Sequence, residues 1–546
     1  MKAAEIFVES LEACEVEYVF GVPGEENLEL LEAIRKSSIK MITTRDEQTA
    51  VFMAATVGRL TGRAGVALST LGPGATNLVT GVAYAQLGAM PLLVITGQKP
   101  IKKSKQGKFQ ILDVVGMMKP ITKLSETIVS AERVPSSVYN AIRLAEQERP
   151  GAVHLEFPED IAEERSDVRP IKWQKTRRPN PDEKSIDNLV EAIENSHSPI
   201  ILIGAGANRK LIRKQLRSFI DKTKIPFITT QMGKGVEDES SPHYIGTAAL
   251  SDSDFVHKAL EKADLIIMVG HDITEKPPVL SENTHKFAHI NFSPAEIDDV
   301  YKPDMEVIGD ISYALWAATE IIEVKDWDFS NFHAIKERLQ KNIEKGSDSD
   351  NFPIKPQRFV SSLRKILPKD AILSLDNGMY KLWIARNYPA YEQNTVLLDN
   401  ALATMGAGLG VGMMAKMINT DKKVVVVAGD GGFLMNLADL ETAVRLKLDL
   451  TIIVLKDDGY GMIKWKQKSM DLQDFGLSFS NPDFEQLADS FGAQGHGKNI
   501  NSPDDFEKQL QESINSKGVH IIELPIDYSD NNSYFGEDLK KSTEGI

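Results

Sequence analysis

The run Lys423-Val424-Val425-Val426-Val427-Ala428-Gly429-Asp430-Gly431-Gly432-Phe433 sets a carboxylate inside a glycine-rich turn that ends an apolar strand. Glycines let the backbone approach a phosphate closely. A following helix, expected from about Asn436, presents unpaired N–H groups and the positive end of its dipole. Asp430 would repel that phosphate unless a cation stood between them. Mg2+ suits the place, because it takes a few oxygen ligands together with phosphate oxygens. A second ligand is then expected nearby, and the next apolar run, residues 450–455, ends at Lys456-Asp457-Asp458-Gly459-Tyr460. Consecutive parallel strands bring their C-terminal ends to one edge, where open α/β folds bind ligands. Asp457 is therefore expected to face Asp430 across one ion, with the Gly459 carbonyl as a third oxygen. A Gly-Asp-Gly turn alone is also an ordinary tight turn with an aspartate cap; the second oxygen ligand is what favours a metal.

The elements that must hold these residues repeat a β-α-β plan. Ala3, Ala4, Phe7, Leu11 and Cys14 recur at helical spacing before a short strand, Tyr18-Val19-Phe20, and Gly21, Pro23 and Gly24 make the turn. A helix is expected over residues 26–35, a strand at 41–44, a helix from about Asp46, and strands at 66–69 and 92–96. Residues 166–184 are polar, with Pro and Arg, and read as a linker. A second block opens at Pro199-Ile200-Ile201-Leu202-Ile203, runs to about Val324 and holds strands at 265–269 and 288–292. After the polar stretch 345–351 comes a third block, with strands at 371–375, 423–427 and 450–455. Such a pattern implies an α/β chain of three doubly wound parallel-sheet domains. They are placed at 1–165, 185–345 and 355–530, with a polar C-terminal tail, 531–546, whose order the sequence leaves open.

Bulk properties narrow the partners. The chain has 546 residues, 42% hydrophobic and 26% charged, the balance of a soluble globular protein. A net charge of −15 lacks the basic footprint of a nucleic-acid binder. No apolar run approaches the roughly twenty residues that span a bilayer, and the amphipathic start Met1-Lys2-Ala3-Ala4-Glu5-Ile6 does not resemble a signal peptide. Cys14 is the single cysteine, so no internal disulfide or cysteine metal cluster is expected, and a reducing cytoplasm suits the chain.

The segment around Asp430 resembles the signature of thiamin-diphosphate enzymes, a Gly-Asp-Gly turn followed after a helix and a strand by an asparagine; here Asp457 stands at the asparagine's place. Three further motifs support the resemblance. Thr44-Arg45-Asp46-Glu47-Gln48 is similar to the family's Arg-His-Glu-Gln, with Asp46 replacing the histidine. It implies that Glu47 is the carboxylate that hydrogen-bonds the cofactor's pyrimidine ring, although a helix-opening glutamate is also favoured by the macrodipole alone. Leu71-Gly72-Pro73-Gly74-Ala75-Thr76-Asn77 is similar to the turn beside that ring, giving Gly74 and Asn77 as cofactor-binding. Leu402-Ala403-Thr404-Met405-Gly406 resembles the segment that keeps the cofactor bent, with the Ala403 carbonyl on the aminopyrimidine and Met405 as the wedge between the rings. The resemblance adds Asn377, Gly429, Gly431 and Gly432, then Tyr460, Gly461 and Met462, to the cofactor site. It spans about Lys2 to Pro525.

Within that family the loop Gly107-Lys108-Phe109-Gln110-Ile111-Leu112-Asp113-Val114, with Lys119-Pro120-Ile121-Thr122-Lys123, is similar to acetolactate synthases, and Phe109 and Gln110 match as pocket residues. The paired histidines of pyruvate decarboxylases have no counterpart there. The resemblance therefore implies decarboxylation of pyruvate and ligation of the two-carbon unit to a second 2-ketoacid, giving 2-acetolactate. Met462 and Trp465 are placed near the acceptor; Lys466 stands where enzymes favouring 2-ketobutyrate carry tryptophan. Flavin-binding members carry Arg-Phe-Asp-Asp-Arg where this chain reads Gly270-His271-Asp272-Ile273-Thr274-Glu275-Lys276, so FAD, although Gly204-Ala205-Gly206 would admit a dinucleotide, is not favoured. A nicotinamide dehydrogenase would need a final glycine where Arg209 stands. Family members assemble as homodimers or homotetramers with active sites between chains. The competing readings are another thiamin-diphosphate decarboxylase or pyruvate oxidase, and a non-catalytic protein retaining the fold.

Overall fold

The computed structural model describes residues 1–102, 107–275, 285–297 and 301–546. Among the described residues the strands form three six-stranded sheets. The first runs in the order Lys40–Thr43, Tyr18–Gly21, Gly65–Ser69, Leu92–Gln98, Ala152–Pro158, Leu124–Thr127. The second runs Met305–Ile308, Lys286–Asn291, Leu265–Val269, Pro199–Ile203, Phe227–Thr230, Tyr244–Ala248. The third runs Val396–Leu397, Ile372–Leu375, Val424–Gly429, Leu450–Lys456, Val519–Pro525, Gln494–His496. Every pairing is parallel. Central strands such as Gly65–Ser69, Leu265–Val269 and Pro199–Ile203 are buried along their whole length, as a sheet covered by helices on both faces demands.

The chain divides into two compact units. One comprises Met1–Arg177, Ala401–Asp421 and Leu434–Leu448 and contains the first sheet; the other comprises Arg178–Asn400, Lys422–Phe433 and Asp449–Ile546 and contains the second and third. No helix of the described residues is long and apolar enough to cross a membrane.

Three expectations about elements need correction. The helix predicted over 26–35 begins as a 3-10 turn, Glu25–Asn27, before Leu28–Arg35. Glu26 is drawn inward there by Lys99, at 2.6 Å, and by the Thr70 hydroxyl. The helix expected from Asn436 starts at Asp430 itself, runs to Met435, and resumes at Leu440–Arg445. Asn436 interrupts it because its buried side chain donates to Thr49 Oγ1 at 2.8 Å. The linker ends before Lys184, since Asp182 caps a helix, Glu183–Glu194, by accepting from the Ser185 N–H. The tail is folded as well. Trp383 donates to Asn531 at 3.0 Å and packs against Tyr534 and Phe535, each with ring centroids 4.5 Å away, while Leu539 enters the core of the second sheet.

Within the second unit, Arg386 on the helix Met379–Asn387 pairs through Nε and Nη2 with both oxygens of Asp254, at 2.8 and 2.9 Å. Asp254 caps the helix Phe255–Lys262 beside the second sheet, so the pair ties the two sheets of this unit together. Both side chains are buried. Burial alone would raise the Asp254 carboxyl, but the Arg386 charge and hydrogen bonds outweigh it and hold its pKa below the usual value. Its stabilisation is therefore complete above the unfolded pKa of about 3.9 and is lost as pH falls through the folded value. Arg386→Met strands a buried carboxylate, and denaturant unfolding at pH 7 should show a loss of about 3–5 kcal/mol. Because the deserted carboxyl then titrates high, the deficit should shrink toward pH 4; a deficit independent of pH would contradict the pairing.

Candidate active site

In the first unit the edge strand Lys40–Thr43 delivers the chain to Asp46, whose Oδ1 accepts from the Gln48 N–H at 2.7 Å and caps the helix Glu47–Thr61. Glu47 is thus the first helical residue, and it is only 8% exposed. Its Oε2 accepts from Asn77 Nδ2 at 3.0 Å. A Cβ at Gly74 would lie 3.1 Å from Glu47 Oε1 and 2.4 Å from Ser69 Oγ, so only glycine lets this turn close over the carboxylate. Glu47, Gly74 and Asn77 therefore converge as a group. Gly72, at φ +56°, borders Gln110, whose Cβ would lie 3.0 Å from a Cβ at Gly72. Phe109, next in the loop, is 72% exposed.

The segment carrying Ala403 and Met405 belongs to the same unit. Ala403 holds a left-handed backbone, φ +55°, and Gly406 follows at φ +87°. A Cβ at Gly406 would meet Asn436 Oδ1 at 2.2 Å. Asn436 in turn accepts from Gln48 Nε2 at 3.3 Å and donates to Thr49, which ties this segment to the start of the Glu47 helix. Asn436 was not singled out in the sequence; its signal would have been a polar residue interrupting a helix.

In the second unit Asp430 is 1% exposed at the end of Val424–Gly429. Its Oδ1 accepts from the Gly431 N–H at 2.8 Å; Oδ2 accepts from the Asp458 N–H and Asn481 Nδ2, each at 2.8 Å, and from the Asp457 N–H at 3.2 Å. Burial nevertheless raises the Asp430 pKa above the ordinary carboxylate value. Burial, reinforced by the Asp430 charge, pushes Asp457 up to about 7. Two carboxylates held together at a cost of this kind are stabilised by a cation between them. Among the described residues no three His, Cys, Asp or Glu side chains are gathered as a closed metal site would be. An ion here would keep positions open for other oxygens, as Mg2+ does when it binds phosphates.

The surrounding side chains pack closely on the glycines of this turn. A Cβ at Gly431 would lie 2.9 Å from the Tyr460 ring, which meets Phe479 edge-on at 5.1 Å between centroids. Gly432 abuts Asp376, whose Oδ1 accepts from the Asn377 N–H at 2.7 Å. Gly459 forms a single bridge with Ser478. Gly461 opens the helix Gly461–Ser469, on which Met462 and Trp465 are half-buried and Lys466 is exposed. Asn481 and Asp376 escaped sequence reasoning, because they arrive from segments distant from both glycine turns.

In the second sheet, the Gly204-Ala205-Gly206 turn already has a carboxyl group as occupant. Glu275 accepts from the Ala205 and Met232 N–H groups, each at 3.0 Å, and from the Thr230 hydroxyl at 2.9 Å; burial raises its pKa to about 7. Lys276, the last residue of the segment compared with the flavin motif, lies outside the described residues.

Comparison with known proteins identifies the family of the chain. Residues 1–117 match the N-terminal TPP binding domain of thiamine pyrophosphate enzymes, 186–318 their central domain, and 376–524 their C-terminal TPP binding domain. The catabolic acetolactate synthase of Raoultella terrigena is 32% identical over 98% of this chain and 96% of its own. The acetolactate synthase of Bacillus subtilis (strain 168) is 30% identical over 99% and 96%. A putative thiamine pyrophosphate-containing protein of the same organism, YdaP, is 30% identical over 96% and 91%. With a TPP binding domain matched at each end, and likeness to acetolactate synthases along nearly its whole length, the chain belongs to the thiamine pyrophosphate enzyme family.

Proposed function

We propose that the protein is an acetolactate synthase, joining pyruvate to a second 2-ketoacid with thiamin diphosphate and Mg2+. The observation that carries the reading is the Asp430–Asp457 pair, two carboxylates held at raised pKa on the same edge of the third sheet in a chain similar over its length to acetolactate synthases. Residues 1–165, 185–345 and 355–530 serve in this reading as pyrimidine-binding, middle and diphosphate-binding domains, in a cytoplasmic assembly of two or four copies.

Thiamin diphosphate supplies a nucleophilic carbon and a sink for the electrons released with CO2. Asp430, Asp457 and the Gly459 carbonyl would hold the ion that neutralises its diphosphate, and Gly429, Gly431 and Gly432 would let backbone come close to the phosphates. Asn377, Tyr460, Gly461 and Met462 complete that side. Glu47, its Oε2 held by the Asn77 amide, would exchange a proton with the pyrimidine ring through Oε1. Gly74 would bound the pyrimidine ring, the Ala403 carbonyl would accept from its amino group, and Met405 would pack against the cofactor. Phe109 and Gln110 bound the ketoacid, and the exposure of Phe109 leaves it free to be covered when substrate or another chain arrives.

Wild-type protein given pyruvate, Mg2+ and thiamin diphosphate should form acetolactate, and Glu47→Ala should lower the rate by about 10²–10⁴-fold, the range for a general acid–base group. Acetaldehyde, or acetate with peroxide, as the main product would replace the carboligase by a decarboxylase or an oxidase. Asp430→Asn should weaken Mg2+-dependent thiamin diphosphate binding by at least about tenfold in calorimetry, since one charge-assisted metal contact is lost. Binding at wild-type strength would place the metal elsewhere.

A further inference from the structure

Two tyrosines beside the Asp430 turn are not accounted for by the packing. Tyr380 is buried, and its ring lies flush on the turn: a Cβ at Gly429 would be 3.2 Å from Tyr380 Cε1. Tyr528 follows the strand Val519–Pro525, and its half-buried ring borders Gly461, where a Cβ would lie 3.5 Å from Tyr528 Cδ2 and 2.7 Å from Asp457 Oδ2. Both hydroxyls are buried, and neither finds an acceptor among the described residues; the Tyr380 oxygen is faced by the Gly429 N–H, itself a donor.

A buried hydroxyl left without a partner costs on the order of 1–3 kcal/mol, and native structures tolerate few of them without a reason. Phenylalanine would fill the same space at each position without that cost. A phenol is protonated at neutral pH, so each hydroxyl is a donor in search of an acceptor. They border Gly429 and Gly461, glycines that carry no side chain into the space between the two aspartate-bearing loops.

We infer that the Tyr380 and Tyr528 hydroxyls are further ligands of the cofactor, donating hydrogen bonds to the anionic oxygens of its diphosphate from two sides of the Asp430–Asp457 pair. The inference rests on the cofactor site proposed above and extends it to two residues that neither the glycine motif nor the metal pair includes. It also gives a reason for tyrosine at both positions. Phenol protons add positive partial charge, Tyr380 near Asp376 and Asp430 and Tyr528 near Asp457 and Asp430, in a place that must accept a further anion.

The test uses full-length protein freed of cofactor, with wild type, Tyr380→Phe and Tyr528→Phe titrated with thiamin diphosphate at saturating Mg2+ in a calorimeter, and with each apo form melted in parallel. Each phenylalanine variant should bind about tenfold more weakly, the equivalent of one charge-assisted hydrogen bond. The apo melting temperature should not fall, because the free protein loses only an unsatisfied group. An unchanged Kd in both variants, or a lowered apo melting temperature that reveals a structural bond, overturns the assignment while leaving the cofactor site intact. If wild type itself fails to bind thiamin diphosphate, the site reading falls and this assignment falls with it.

Discussion

Asp430 and Asp457 stand at the ends of neighbouring strands whose register pairs Gly429 with Leu455, so the two carboxylates are brought to one edge by the ladder itself. Neither can leave the other's field without shifting a strand buried along nearly all its length. The N–H groups of Asp457 and Asp458 both donate to Asp430 Oδ2, which locks one loop onto the other through the charge that makes them repel. Hydrogen bonds offset part of the cost for Asp430, and Asp457 bears the rest as a strongly raised pKa. The glycines, the Tyr460–Phe479 pair and the neighbouring phenols can be understood as parts of one solution, a place shaped for a cation and an anion together.

The other carboxylate of interest, Glu47, is positioned by local means. Asp46 does the capping, through its bond to the Gln48 N–H, and this gives a physical role to a residue that departs from the histidine usual in the family. Capping sets where the helix begins, and the beginning sets the direction of Glu47. Asn77 and the bare Gly74 then hold the carboxylate from the opposite turn. Asn436 adds a link from the Ala403–Gly406 segment to Gln48 and Thr49, so a motif of the third block is anchored beside a motif of the first.

The second sheet shows how similar local sequences take different occupants. Its Gly204-Ala205-Gly206 turn follows a strand at the point where the strand order reverses, between Pro199–Ile203 and Leu265–Val269, the usual place for a ligand in open α/β sheets. Glu275 fills the amide cradle there with the chain's own carboxylate. The tail 531–546 is likewise decided by side chains far away in sequence, Trp383 and Arg386, which receive Asn531 and Tyr534.

Much of this was legible in the residues alone. Near-continuous apolar runs marked the strands at 265–269 and 450–455, because a strand buried on both faces must be apolar along its length. The motifs around Glu47, Gly74, Met405, Asp430 and Asp457 were legible because glycine turns and charged residues at strand ends are local in sequence. The start of the helix at Asp430 rather than Asn436 was not, since the break depends on Thr49 and Gln48, nearly four hundred residues earlier. The same holds for Asn481 on Asp430, for Glu275 in its cradle and for the phenols of Tyr380 and Tyr528. Sequence determines what a residue can donate, accept or bury, and its nearest turn. Which buried groups meet, and which are left without a partner, is decided only when distant segments are packed to close density, because a hydrogen bond depends on ångström-scale approach that no spacing along the chain encodes.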